Sequence, residues 1–116
     1  MLNMVGKVFT SVTQDGYEMV FANETETFRF FHCQDCCESV SIEDIVGDLS
    51  DLVGEPLLMA EEVSGETPAD FDEGYHESVT WTFYKFATRK GYVDVRWLGE
   101  SNGYYSESVD LEHELV

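Results

Sequence analysis

Basic side chains are what this sequence has least of. Six Lys and Arg stand against 24 Asp and Glu in 116 residues, a formal net charge of −18. From Phe30 through Tyr84 there is no Lys or Arg at all, while the same 55 residues hold 14 acids. So acidic a chain does not bind nucleic acid or an anionic membrane directly, because phosphates would be repelled. Basic proteins, cations, or surfaces built to hold DNA are its natural partners. Long apolar runs are also missing. None approaches about 18 residues and none has the form of a signal-peptide core, so a soluble protein of the cytoplasm is expected. Cysteine is sparse: three, an odd number, with Cys36 and Cys37 adjacent. That is no disulfide framework and fits a reducing compartment. There is no Gly-rich phosphate loop and no Walker-type motif.

What is present suits a folded chain. An apolar fraction of 43% with 14% aromatics can build one core, so residues 1–116 are expected to form a single acidic domain. Residues 7–13, 17–22 and 26–32 are β-rich, and turn formers at 14–16 and 23–25 separate them into a three-strand meander. Residues 57–63 form another expected strand. An acidic stretch without period follows at 64–77, which is expected to be a loop. Residues 78–88, 92–98 and 104–111 complete the strands, joined by turns at 89–91 and 99–103. The tail from Glu112 is expected to fray.

One helix is expected, over about residues 41–54. Ser41 is placed to cap it, with Asp44 as the capping-box acid. Ile42, Ile45, Val46, Leu49, Leu52 and Val53 fall at helical spacing and make one apolar stripe. Gly54 and Pro56 end it. The other face then carries Asp44, Asp48 and Asp51, with Glu55 just past the end. The expected fold class is therefore α+β: a mostly antiparallel sheet of about six or seven strands packed on one amphipathic helix.

The segments QDCCESVSIEDIVGDLSDLVGEPLLMAEE and WTFYKFATRKGYVDVRWLGESNGYYSESVDL resemble an uncharacterised family of small bacteriophage and prophage proteins, a domain of unknown function. The blocks Asp-Cys-Cys-Glu (35–38) and Ser-Asn-Gly-Tyr-Tyr-Ser-Glu-Ser (101–108) carry the likeness. It implies a phage-encoded accessory protein at work in the bacterial cytoplasm, and it implies no activity.

Several constellations bear on chemistry. His32, Cys33, Cys36 and Cys37 hold a Cys-x-x-Cys with an extra thiol and an imidazole, a possible alternative metal site. A second Cys-x-x-Cys is missing, and small buried hydrophobes at a chain corner are the simpler reading. No metal and no cofactor is therefore expected. Cys36 or Cys37 ahead of a helix would gain thiolate character, but Asp35 and Glu38 oppose it. Paired carboxylates mean little among 24 acids. No enzyme is expected. Trp81, Tyr84, Arg96, Asn102 and Tyr104 could line a small-ligand pocket, the alternative being a hairpin turn among core aromatics.

The charge carries the functional expectation. Asp44, Asp48, Asp51, Glu55, Glu61, Glu62, Asp70, Asp72 and Glu73 are taken as the surface for a basic partner. The expected function is a small acidic interaction protein that binds and blocks a basic, nucleic-acid-binding host or defence protein as a DNA or RNA mimic. The alternative is a small-ligand- or metal-binding accessory protein.

Overall fold

Strand β3 (Glu26–Phe31) shows the rule on which the fold is built. Along ETFRFF its side chains alternate between buried and half-buried, which is what period-two chain geometry does when one sheet face meets a core. The computed structural model describes residues 3–33, 38–65, 78–101 and 107–115. Within them the chain forms eight strands and one short 3-10 turn. The strands are β1 (Ser11–Gln14), β2 (Met19–Ala22), β3, β4 (Ser39–Val46), β5 (Met59–Gly65), β6 (Ser78–Thr88), β7 (Gly91–Ser101) and β8 (Asp110–Leu115); the 3-10 turn is Leu49–Leu52. They make two four-stranded antiparallel sheets, ordered β1-β2-β3-β8 and β4-β7-β6-β5.

The expected α+β fold is thus corrected to an all-β one. Among the described residues there is no α-helix, and most of 41–54 is strand β4 followed by the 3-10 turn. A β-bulge caused the misreading. The β4–β7 register shifts between Ile42 and Asp44. Core-packed Val40, Ile42 and Ile45 therefore fall two and then three residues apart. A bulge adds one residue to an alternating strand, and the resulting spacing imitates a helical stripe. Gly47 then turns the chain with φ +114°, a conformation that side chains other than hydrogen rarely adopt. The fraying expected from Glu112 is also overturned: residues 112–115 pair with β3. The expected meander of the first three strands is present.

The two sheets face each other through aromatic rings. Phe21 lies 4.8 Å from Phe86, and Phe30 lies 4.8 Å from Tyr84 and 5.8 Å from Phe86, centroid to centroid. Phe9 and Phe28 extend the layer edge-to-face. Each such ring stabilises the fold by roughly 1.5–3 kcal/mol through burial alone. Residues 6–9 lie along 53–57, through Gly6 N–H to the Leu57 carbonyl at 2.8 Å and Leu57 N–H to the Lys7 carbonyl at 3.0 Å. The chain passes from the first sheet to the second after β3 and returns before β8. Both crossovers leave from the same region, because Phe31 at the end of β3 pairs with Asp110 at the start of β8.

Candidate functional site

The expected partner surface is divided by the fold. Asp44 is exposed on edge strand β4, opposite Arg96 of β7. Asp48 caps the 3-10 turn, accepting hydrogen bonds from the Ser50 N–H at 3.0 Å and its hydroxyl at 2.8 Å. Those bonds, the backbone one first, hold its carboxyl below the usual range. Asp51 sits half-buried with its carboxylate against Gly91, and its backbone carbonyl accepts from the Thr88 hydroxyl. Glu55 lies 3.9 Å from Arg89. Glu61 pairs in register with Lys85, and Glu62 is on the opposite side of β5, beside Tyr84. Asp70, Asp72 and Glu73 lie outside the described residues. The helical row of carboxylates therefore does not exist. Nor is the stretch free of bases in space: Arg89 reaches Glu55, and the Lys90 ammonium donates to the Ser50 carbonyl at 3.1 Å.

The alternative ligand residues separate in the same way. Trp81 and Arg96 come together on the outer face of the second sheet, with the guanidinium 5.2 Å from the ring centroid. Tyr84 points into the core against Phe30. Burial, then the nearby Glu62 carboxylate, push its phenol pKa up. Asn102 and Tyr104 lie outside the described residues.

Beside Arg96 the outer face holds a depression of about 310 Å³, lined by Asp44, Val46, Phe83, Lys85, Asp94 and Arg96 among others. Register builds it. Val46, Asp94, Lys85 and Glu61 follow one another across the four strands, and Asp44, Arg96, Phe83 and Val63 form the next row. Opposite charges thus occupy neighbouring positions. The side chains of Asp44, Lys85 and Asp94 make no hydrogen bond or ion pair among the described residues. Sequence reasoning passed over Phe83, Lys85 and Asp94. The signal was there: a tight turn at Arg89-Lys90 fixes Lys85 opposite Asp94 and Phe83 opposite Arg96.

A third cluster lies where the crossovers leave. His32 places Nε2 at 2.8 Å from Glu38 Oε2 and Nδ1 at 2.7 Å from the Ser108 carbonyl. Both side chains are enclosed, with 4% and 0% exposure. The Cys33 N–H donates to Asp110 at 3.0 Å. Nearby, buried Glu107 accepts from the Thr80 hydroxyl at 2.9 Å and packs on Gly99, where a side chain would overlap it. Both ring nitrogens of His32 are engaged, so the ring has no lone pair to offer a metal. Cys33 is exposed, Cys36 and Cys37 lie outside the described residues, and no group of three or more metal-binding side chains forms among those that are described. No helix there is long and apolar enough to cross a membrane.

A second carboxylate relay joins Lys7, Glu26 and His113. Lys7 Nζ is 3.0 Å from Glu26 Oε2 and His113 Nε2 is 2.7 Å from Glu26 Oε1. The imidazole stacks on Phe28 at 4.1 Å. The Lys7 hydrogen bond, opposed by burial and helped by His113, holds Glu26 below its usual pKa.

Comparison with known proteins gives one assignment. No curated protein and no solved structure matches the chain. A family model does, over residues 2–111, and by that match the chain belongs to the domain of unknown function DUF7448.

Proposed function

We propose that this protein is an interaction protein rather than an enzyme, and that its acidic surface occupies and blocks a basic, nucleic-acid-binding protein. The observation that carries this reading is a charge of −18 on a rigid two-sheet scaffold. Lys7, Arg29 and Arg89 each lie against a carboxylate of the same chain, and six cations cannot neutralise 24 acids. Among the described residues Asp15, Glu24, Glu43, Asp44, Asp48, Glu62, Asp94 and Glu114 are exposed, where such charge steers a basic partner and rejects nucleic acid. The resemblance of the 35–38 and 101–108 blocks to small phage proteins supports a host or defence protein as the target in this reading. The test is capture from bacterial lysate across a salt series, with duplex DNA as competitor. Basic proteins released by both salt and DNA support the proposal. Capture that ignores salt and DNA overturns it.

A second reading rests on the depression beside Phe83. Its side chains of both charges, Asp44, Lys85, Asp94 and Arg96, beside the Phe83 ring suit a small ligand that itself carries both charges. Titrating a panel of free amino acids while following backbone amide NMR shifts tests it. Saturable shifts confined to β4, β6 and β7 favour the ligand, and an unperturbed spectrum removes it.

A further inference from the structure

His32 stands between three parts of the chain that belong to different sheets. It follows β3 of the first sheet. Its Nε2 meets Glu38, which leads into β4 of the second sheet, and its Nδ1 meets the carbonyl of Ser108, which leads back into β8 of the first. Both oxygens are acceptors. A neutral imidazole has only one N–H, so it would turn a lone pair toward either the carbonyl or the carboxylate. Both contacts are satisfied only when the pair holds one further proton, on the ring as imidazolium or on Glu38 as the acid. We propose that this proton makes His32 a latch that ties the leads into β4 and β8, at Glu38 and Ser108, to the end of β3 and frees them when it is lost.

The surroundings agree. Burial disfavours the charged ring, but the bonds to Glu38 and Ser108 and the charges of Glu38 and Asp110 outweigh it, so its pKa is raised above 6.5. Glu38 reaches the ring from the lead into β4. Asp110 acts from β8 and is held by the Cys33 N–H. The other titratable groups at this end among the described residues are Glu107, bonded to Thr80, Glu100, opposite Ser39 on β7, and the exposed Cys33 thiol.

The experiment uses the full chain. NMR of the imidazole nitrogens from pH 5 to 9 reads His32 directly, while hydrogen exchange, corrected for intrinsic rates, reads the amides of Cys33 and Asp110. His32 is expected to titrate above 6.5, and the protection of the two amides is expected to fall about tenfold or more over the same range, the loss of one buried charge-assisted hydrogen bond. In His32→Gln, which retains a side-chain donor, that step should vanish. A ring that titrates at or below 6.5, or amide protection unchanged through its titration, overturns the latch. So does a step that persists in His32→Gln. If that variant does not fold, the wild-type titration alone decides.

Discussion

Gly47 lies so close to β7 that a Cβ built on it would overlap the carbonyl oxygen of Tyr92. Its φ of +114° already excludes most side chains. The two observations describe one event: β4 ends by pressing its backbone onto the neighbouring strand before the 3-10 turn begins.

Gly47→Ala is therefore expected to destabilise the protein by more than about 1 kcal/mol, from backbone strain and contact together. Gly54→Ala is the control, since Gly54 also has positive φ but nothing within 4 Å of the added carbon. Urea unfolding should rank Gly47→Ala clearly below Gly54→Ala. Equal midpoints would mean that strain alone matters and the Tyr92 contact does not.

The sheet-to-sheet contact makes a second prediction. Phe21 is fully buried and touches Phe9, Phe30 and Phe86, so it belongs to both sheets at once. Phe21→Ala should cost about 3–5 kcal/mol. Val46→Ala, at a site 62% exposed, should change stability by no more than about 0.5 kcal/mol. Comparable losses at both positions would contradict the sandwich core.

These two sites also show what the sequence could and could not disclose. The alternation around Phe28 and Phe30 was legible because every second residue meets the core. So was the β6–β7 hairpin around Arg89-Lys90. The segment 39–46 misled, because its bulge shifts the inward positions by one and so imitates a helix. Asp44, Asp48, Asp51 and Glu55, which a helix would carry on one face, are split by the end of β4 and the 3-10 turn. His32 and Glu38 are six residues apart, but Ser108 reaches them only through the β3–β8 pairing. Long-range pairing of that kind leaves no local periodicity to detect.

Stability should peak at mildly acidic pH. Glu26, Asp48 and Asp15 have folded pKa values below their ordinary 4.5, 3.8 and 3.8. Their contribution is complete above those ordinary values and is lost as pH falls through the lowered ones. His32 is shifted the other way. Its contribution is complete below 6.5 and is lost as pH rises through its folded value. Thermal melting from pH 3 to 9 should thus give a maximum between the carboxylate range and the His32 titration. A Tm that climbs steadily to pH 9 would show that His32 has no such role.

Salt should raise the melting temperature. At −18 the folded chain repels itself, and about 0.1 M salt shortens the screening length to about 10 Å. Melting scans from a few millimolar to a few hundred millimolar sodium chloride check this. A flat response would mean that the acids are dispersed widely enough not to act together, and the case for a one-signed binding surface would weaken with it.

The functional proposal turns on charge removed without damage to the fold. Asp44→Asn, Asp48→Asn and Asp51→Asn together suit this purpose. Asp44 is exposed, Asn caps a turn about as well as Asp at position 48, and the change at 51 conserves shape. The fold no longer places the three on one face, so the triple variant tests the field around β4 and the 3-10 turn rather than a row of contacts. It should slow association with a basic partner and flatten the salt dependence, because peripheral charges act mainly on the on-rate. Each single change should cost about 1 kcal/mol or less. Lys85→Gln with Phe83→Ala probes the other surface. If the depression on the second sheet is the working site, that pair abolishes binding while the triple acid variant behaves as wild type. Unchanged affinity and salt slope in the triple variant, against a partner that the wild type binds, would end the acidic-surface proposal.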